Sequence, residues 1–210
     1  MEDDILQIIN KYYQGEISDQ LEEFYETEQH KRLIQQKIDA AINPDIFDEF
    51  LQMLAQKMSE YDYRDVTSLG LEGNDVCHTV EILLYKYAKF HENNAEGDFK
   101  SINELGGKMT TLTVSISILG PYYCYDIMDL CYDDSDQDFH WKTIFDIPVE
   151  HSNLWEEIQK FFQTRNYSLL NKEILSERVP WVYLETVEKG EATVFNCLFS
   201  EIRGGFLITK

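Results

Sequence analysis

Apolar positions in the first third of the chain recur at helical spacing. Ile5, Ile8, Ile9, Tyr12 and Tyr13 form one stripe ended by Gly15, which predicts a first helix. A second is expected from about Ser18 to Ile42, with Leu21, Phe24 and Tyr25 in its first half and Ile34, Ile38, Ala41 and Ile42 in its second. Its polar middle, His30-Lys31-Arg32, either faces solvent or marks a break. The third helix has the clearest start. Asn43 can cap, Pro44 suits the first helical position, and Asp45, Asp48 and Glu49 complement the dipole. Its buried stripe is Phe47, Phe50, Leu51, Leu54 and Met58. After a turn-prone stretch at Gly70, Gly73 and Asn74, the spacing of Val76, Val80, Leu83, Leu84, Tyr87 and Phe90 predicts a fourth helix. Residues 91–107 are polar and glycine-bearing and read as an exposed linker.

Beyond the linker the period becomes two. Leu112, Val114, Ile116 and Ile118 alternate with Thr111, Thr113, Ser115 and Ser117, the pattern of a strand with one buried and one wetter face. Gly120-Pro121 interrupts it, Tyr122–Leu130 resumes strand character, and Phe139–Ile147 predicts a third strand of an antiparallel meander. A helix follows, with Asn153 and Glu156 at capping-box spacing and Leu154, Trp155, Ile158, Phe161 and Phe162 as its stripe. Residues 167–178 give no clear pattern. Pro180 is expected to open a short helix that Gly190 closes, and Ala192–Phe199 reads as a further strand. The segment Arg203–Phe206 reads as an exposed tail, with an edge strand as the alternative. The expectation is an α+β fold: a helical region over residues 1–94 packed with an α+β region over 95–210, whose antiparallel meander is flanked by helices. The two regions either form one continuous domain or stand as two.

Composition changes the picture chiefly through charge. The 210 residues carry 39 acidic and 18 basic side chains, a formal net charge of -21. About half of that excess lies in residues 1–65, which hold 16 acidic and 6 basic side chains. Such a field repels nucleic acid and anionic membranes, both of which are bound through Lys and Arg. A 13% aromatic content argues for a packed core. Cys77, Cys124, Cys131 and Cys197 are too widely spaced for a disulfide framework or a zinc site and read as reduced core thiols. The acidic start, Met1-Glu2-Asp3-Asp4, is unlike a signal peptide, so a cytoplasmic location is expected.

Candidate chemistry concentrates in one acidic stretch. Asp126, Asp129, Asp133, Asp134, Asp136 and Asp138 fall between Lys108 and Lys142, with no Lys or Arg between those two. A calcium loop starting at Asp134 fails at its sixth and twelfth positions, which are Phe139 and Phe145 where glycine and glutamate are required. Two readings stay open. The aspartates either form a solvated hairpin loop, or they meet Lys and Arg of a basic partner, with Tyr122, Tyr123, Tyr125, Tyr132 and Trp141 as aromatic anchors. Acid interleaved with tyrosine would then mimic a phosphate backbone. Cys77 adjoins His78, and Cys124 or Cys131 could meet His140 across a hairpin, but no local signature activates any of these cysteines, and there is no GxSxG elbow. Gly106-Gly107-Lys108 lacks the upstream glycine and following hydroxyl of a phosphate loop. Neither a catalytic residue, a metal nor a cofactor is expected, leaving binding ahead of an unrecognised Cys/His hydrolase.

Two stretches carry a resemblance. Ser117-Ile118-Leu119-Gly120-Pro121-Tyr122-Tyr123-Cys124-Tyr125 and Lys189-Gly190-Glu191-Ala192-Thr193-Val194-Phe195-Asn196-Cys197-Leu198-Phe199-Ser200 resemble segments of bacterial polymorphic-toxin immunity proteins. The likeness covers only the second half of the chain. It implies a stoichiometric inhibitor that neutralises a cognate, basic, nuclease-type toxin domain. An acidic adaptor subunit of a cytosolic assembly is the alternative.

Overall fold

The computed structural model describes residues 2–13, 26–69, 75–133, 135, 137–144, 146–184 and 186–200. Its centre is a six-stranded sheet. Strands β1 (Tyr63–Asp65), β2 (Cys77–Leu83), β3 (Lys108–Ser117), β4 (Tyr122–Asp133) and β5 (Asp138–Ile144) lie side by side in chain order, each antiparallel to the next. β6 (Ser168–Leu169) pairs in parallel with the start of β4, on the side where β5 pairs only from Ile127 onward. The register sets Val114 between Val80 and Tyr125, and Leu112 between Ile82 and Ile127. Strict alternation therefore gathers the aliphatic side chains on one face.

That face is covered by two helices, α3 (Asp45–Lys57) and α5 (Ser152–Gln163); the other longer helices among the described residues are α1 (Glu2–Tyr12), α2 (Glu28–Ile42) and α4 (Ala95–Glu104). Phe47, Phe50, Met53 and Leu54 of α3 share one core with Leu154, Ile158, Phe161 and Phe162 of α5 and with the aliphatic sheet face. Each fully buried side chain of this kind contributes about 1.5–3 kcal/mol. The opposite face is divided. At one end Cys77, Cys124 and Tyr122 pack with Ile5, Ile9 and Tyr12 of α1, Leu33 of α2, and the short helices α6 (Lys172–Leu175) and α7 (Val194–Leu198). At the other, Ile102 of α4 packs on Leu83 and Met109, flanked by Leu130, Tyr132 and Phe139.

The α+β class is as expected, and β3, β4 and β5 form the expected meander. Several elements differ. The fourth helix is strand β2: it lies between β1 and β3 with both faces buried, so the alternation that marks a half-wet strand is lost. The expected linker contains α4, which Asn94 caps by accepting from the Gly97 amide at 2.8 Å. The expected strand at Ala192–Phe199 contains α7. A capping box between Thr193 and Asn196 overrides β propensity there. No helix runs between Pro180 and Gly190 among the described residues. Asn43 ends α2 instead of capping α3, whose cap position is Pro44 and which has no side-chain cap bond. The start of α5 likewise has no side-chain cap bond; a 3-10 turn over Val149–His151 leads into it. The hydroxyl face of β3 is not wet: Thr111, Thr113, Ser115 and Ser117 are all buried. The first half of the expected second helix and the Arg203–Phe206 tail lie outside the described residues.

Candidate functional site

The β4–β5 hairpin carries the expected site, and its pairing sorts the side chains onto two faces. Leu130 faces Trp141 and Tyr132 faces Phe139, so these four share one face. Asp129, Cys131 and Asp133 face Lys142, His140 and Asp138 on the other. The outer end of the ribbon is thus aromatic on one side and charged on the reverse, so the aspartates are not framed by tyrosines as the sequence suggested.

The aromatic side is built by stacking at the edge. Tyr132 meets Phe139 edge-on at 5.3 Å and Phe99 of α4 at 4.8 Å. Trp141, on the edge strand β5, remains 68% exposed and Phe99 37%. An indole this exposed adds little to folding, and tryptophan is the residue type most enriched in binding hot spots. Besides the packing of Ile102, an ion-pair triad ties α4 to the sheet. Arg64 donates from Nε to Glu81 at 2.7 Å and from Nη1 to Asp98 of α4 at 2.8 Å, and its guanidinium lies over the Phe90 ring. Burial alone would lower the Arg64 pKa, but Glu81 and Asp98 outweigh it and hold the group up.

On the charged side the aspartates differ in state. Asp129 is not waiting for a cation: it accepts from Lys108 Nζ at 3.0 Å and from the Thr110 hydroxyl at 2.6 Å. Lys108 reaches it from the neighbouring strand, a proximity hidden when the sequence is read as a gap between cations. Asp133 and Asp138 are exposed at the hairpin end and organise the turn, accepting the Ser135 and Phe139 amides at 2.8 Å. The bond from Ser135 holds the Asp133 carboxyl below its ordinary pKa, so it is ionised at neutral pH. Asp134 and Asp136 lie outside the described residues.

Four expected site residues sit elsewhere. Tyr122 and Tyr123 are buried, Tyr122 against α1 and Tyr123 stacked on Phe162 at 4.1 Å. Burial pushes the Tyr123 phenol up to about 12. Tyr125 packs against Trp155 of α5 at 4.4 Å, under the helical layer. Asp126 is half-buried in mid-strand opposite Thr113, away from the hairpin end. Tyr122 and Tyr123 are core, and Tyr125 packs half-buried against it, because β4 is a central strand along its first half, a fact that local aromatic content does not reveal.

The hydrolase pairing does not assemble from Cys124 and His140. Cys124 pairs in register with Ser115, whereas His140 pairs with Cys131. Seven strand residues separate the two levels, about 23 Å at strand rise. Burial, with Cys77 and Asp126 adding to it, pushes the Cys124 thiol well up, which opposes a reactive thiolate. Cys131 does sit across from His140, donating to its backbone carbonyl at 3.5 Å. The adjacent Cys77 and His78 emerge on opposite faces of β2. No family model matches this chain, and no curated protein or solved structure was found to match it. No helix among the described residues is long and apolar enough to cross a membrane.

Proposed function

We propose that the chain is a binding protein of the immunity class, which engages a basic protein through the outer end of the β4–β5 ribbon and inhibits it stoichiometrically. The observation that carries this reading is Trp141: a 68% exposed indole on an edge strand, on the same face of the ribbon as the Tyr132–Phe139 pair. Asp133 and Asp138 on the reverse side, in a chain of net charge -21, supply the attraction for a cationic partner. Steering by the acidic field would speed capture, and the aromatic anchor would slow release. The proposed partner is a nuclease-type toxin domain, whose basic surface matches the field.

Affinity capture with the full chain tests this, run in parallel with Trp141→Ala and with the Asp133→Lys/Asp138→Lys double variant. The expected partner is basic, is retained by the native chain, and loses its activity at one equivalent of it. Truncating a central anchor should weaken binding by about 2 kcal/mol, roughly thirtyfold. A partner retained equally by the native chain and both variants would remove the ribbon from the interface. An acidic partner would remove the electrostatic argument.

A further inference from the structure

On the α3 side of the sheet, a cavity of about 590 Å³ opens where the end of α2, the start of α3 and the β3–β4 turn converge. That volume lies within the range of small-molecule sites. Asp39, Asp45, His78, Ser117 and Tyr167 are among its lining residues, and among the described residues no Lys or Arg lines it. His78 reaches it from β2. The imidazole is only 6% exposed and stacks on Phe47 at 4.7 Å; among the described residues its ring nitrogens make no hydrogen bond and are not sealed from solvent, so a molecule in the cavity can reach them. Burial also holds His78 below its ordinary pKa, with Asp65 and Asp48 pulling weakly the other way, so at neutral pH the ring offers one lone pair and one N–H.

The rim supplies the sign of the ligand. Asp39 accepts a bond from Gln35 at 2.8 Å, and Asp45 has no ion-pair partner among the described residues. The open amides at the start of α3 would by themselves favour an anion, but Asp45 and Asp48 in that first turn already oppose one. Among the described residues no three His, Cys, Asp or Glu side chains gather as a metal would need. We propose that this cavity binds a small organic cation, whose ammonium or guanidinium N–H donates to His78 while its charge faces Asp39 and Asp45. The site is separate from the ribbon and stands whether or not the ribbon binds a protein.

Agmatine, which carries both cationic groups, is the probe. The full chain, labelled with 13C-histidine, is titrated while the ring signal of His78 is followed, assigned by its absence in His78→Phe. A saturable shift of that signal is expected. Phenylalanine keeps the stacking on Phe47 and removes the nitrogens, so His78→Phe should lose about tenfold or more in affinity. Asp45→Asn, at an exposed position, should lose about two- to fivefold. The second variant decides the matter if the first fails to fold. The proposal is overturned if millimolar agmatine leaves the His78 signal unmoved, or if both variants bind as the native chain does, as for cations held loosely on an acidic surface. It is equally overturned if inorganic phosphate moves the signal and agmatine does not.

Discussion

Replacing Arg64 by methionine should destabilise the protein more than any surface charge change. The three side chains of the triad are 15%, 17% and 21% exposed for Arg64, Glu81 and Asp98, so most of their hydration is lost on folding. A unit charge pair at 4 Å is worth about 4 kcal/mol at an effective dielectric of 20. Desolvation offsets much of that while the triad is intact. Removing the guanidinium is different, because Glu81 and Asp98 then remain partly buried with their shared cation gone. Breaking a buried pair costs about 3–5 kcal/mol, and the residual solvent access here reduces that to about 2–4 kcal/mol. Against a typical total of about 5–15 kcal/mol, this lowers the urea midpoint by about 1–2 M. Neutralising both carboxylates, in Arg64→Met/Glu81→Gln/Asp98→Asn, should restore at least half of the loss. Urea unfolding of both variants measures the loss and its recovery. A loss below about 1 kcal/mol, or one that the triple variant does not recover, would refute the account of the triad.

Other outcomes follow from single features. Gly97→Ala replaces a helix residue with a better helix former, worth about 1 kcal/mol in isolation, but its Cβ would collide with the Glu92 backbone carbonyl. Thermal unfolding should show a net loss, and a gain in Tm would mean that the chain before α4 yields easily. Thr193→Ala removes the cap of α7 and should cost about 1 kcal/mol by the same measurement; no change would show the box at Thr193 and Asn196 to be idle. His151 is held below its ordinary 6.5 by burial, with Glu150 opposing and Lys86 assisting, and its Nδ1 lies 2.9 Å from the Tyr61 hydroxyl. Because its folded pKa is depressed, the unfolded chain takes up the proton first. Stability contributed by the neutral ring is complete above about pH 6.5 and declines as the pH falls through the folded value. The advantage of the native chain over His151→Gln in urea should therefore narrow between about pH 7.5 and 5.5, and parallel curves would contradict it.

How much was legible depended on whether a segment meets one environment or two. Strand β3 shows its alternation because aliphatic and hydroxyl faces differ in chemistry, although both are buried. Helices α3 and α5 each bury one stripe and expose the rest, so their periods survive in sequence. In β2, Cys77, His78, Thr79 and Val80 are buried consecutively, and the spacing left over imitated a helix. Helix α4 hid because it buries little beyond Gly97, Ser101 and Ile102. For the candidate site, Trp141, Tyr132, Asp133 and Asp138 were readable as a local group. The loss of Tyr122, Tyr123 and Tyr125 to the core was not, because it depends on helices α1 and α5 from distant parts of the chain. His78 gave no signal for the same reason: its surroundings come from residues 39–47, 117–121 and 167.

The two chemistries of β3 make its alignment with neighbouring strands self-checking. A slip by one residue would carry Thr111, Thr113 and Ser115 beneath the phenylalanines of α3 and α5, and turn Leu112, Val114 and Ile116 toward Asp126 and Glu81. Hydroxyls would be stranded in grease and aliphatics set against carboxylates, so misaligned sheets are penalised on both sides at once. The register of this meander is thereby specified from both faces of β3 once the helices are in place.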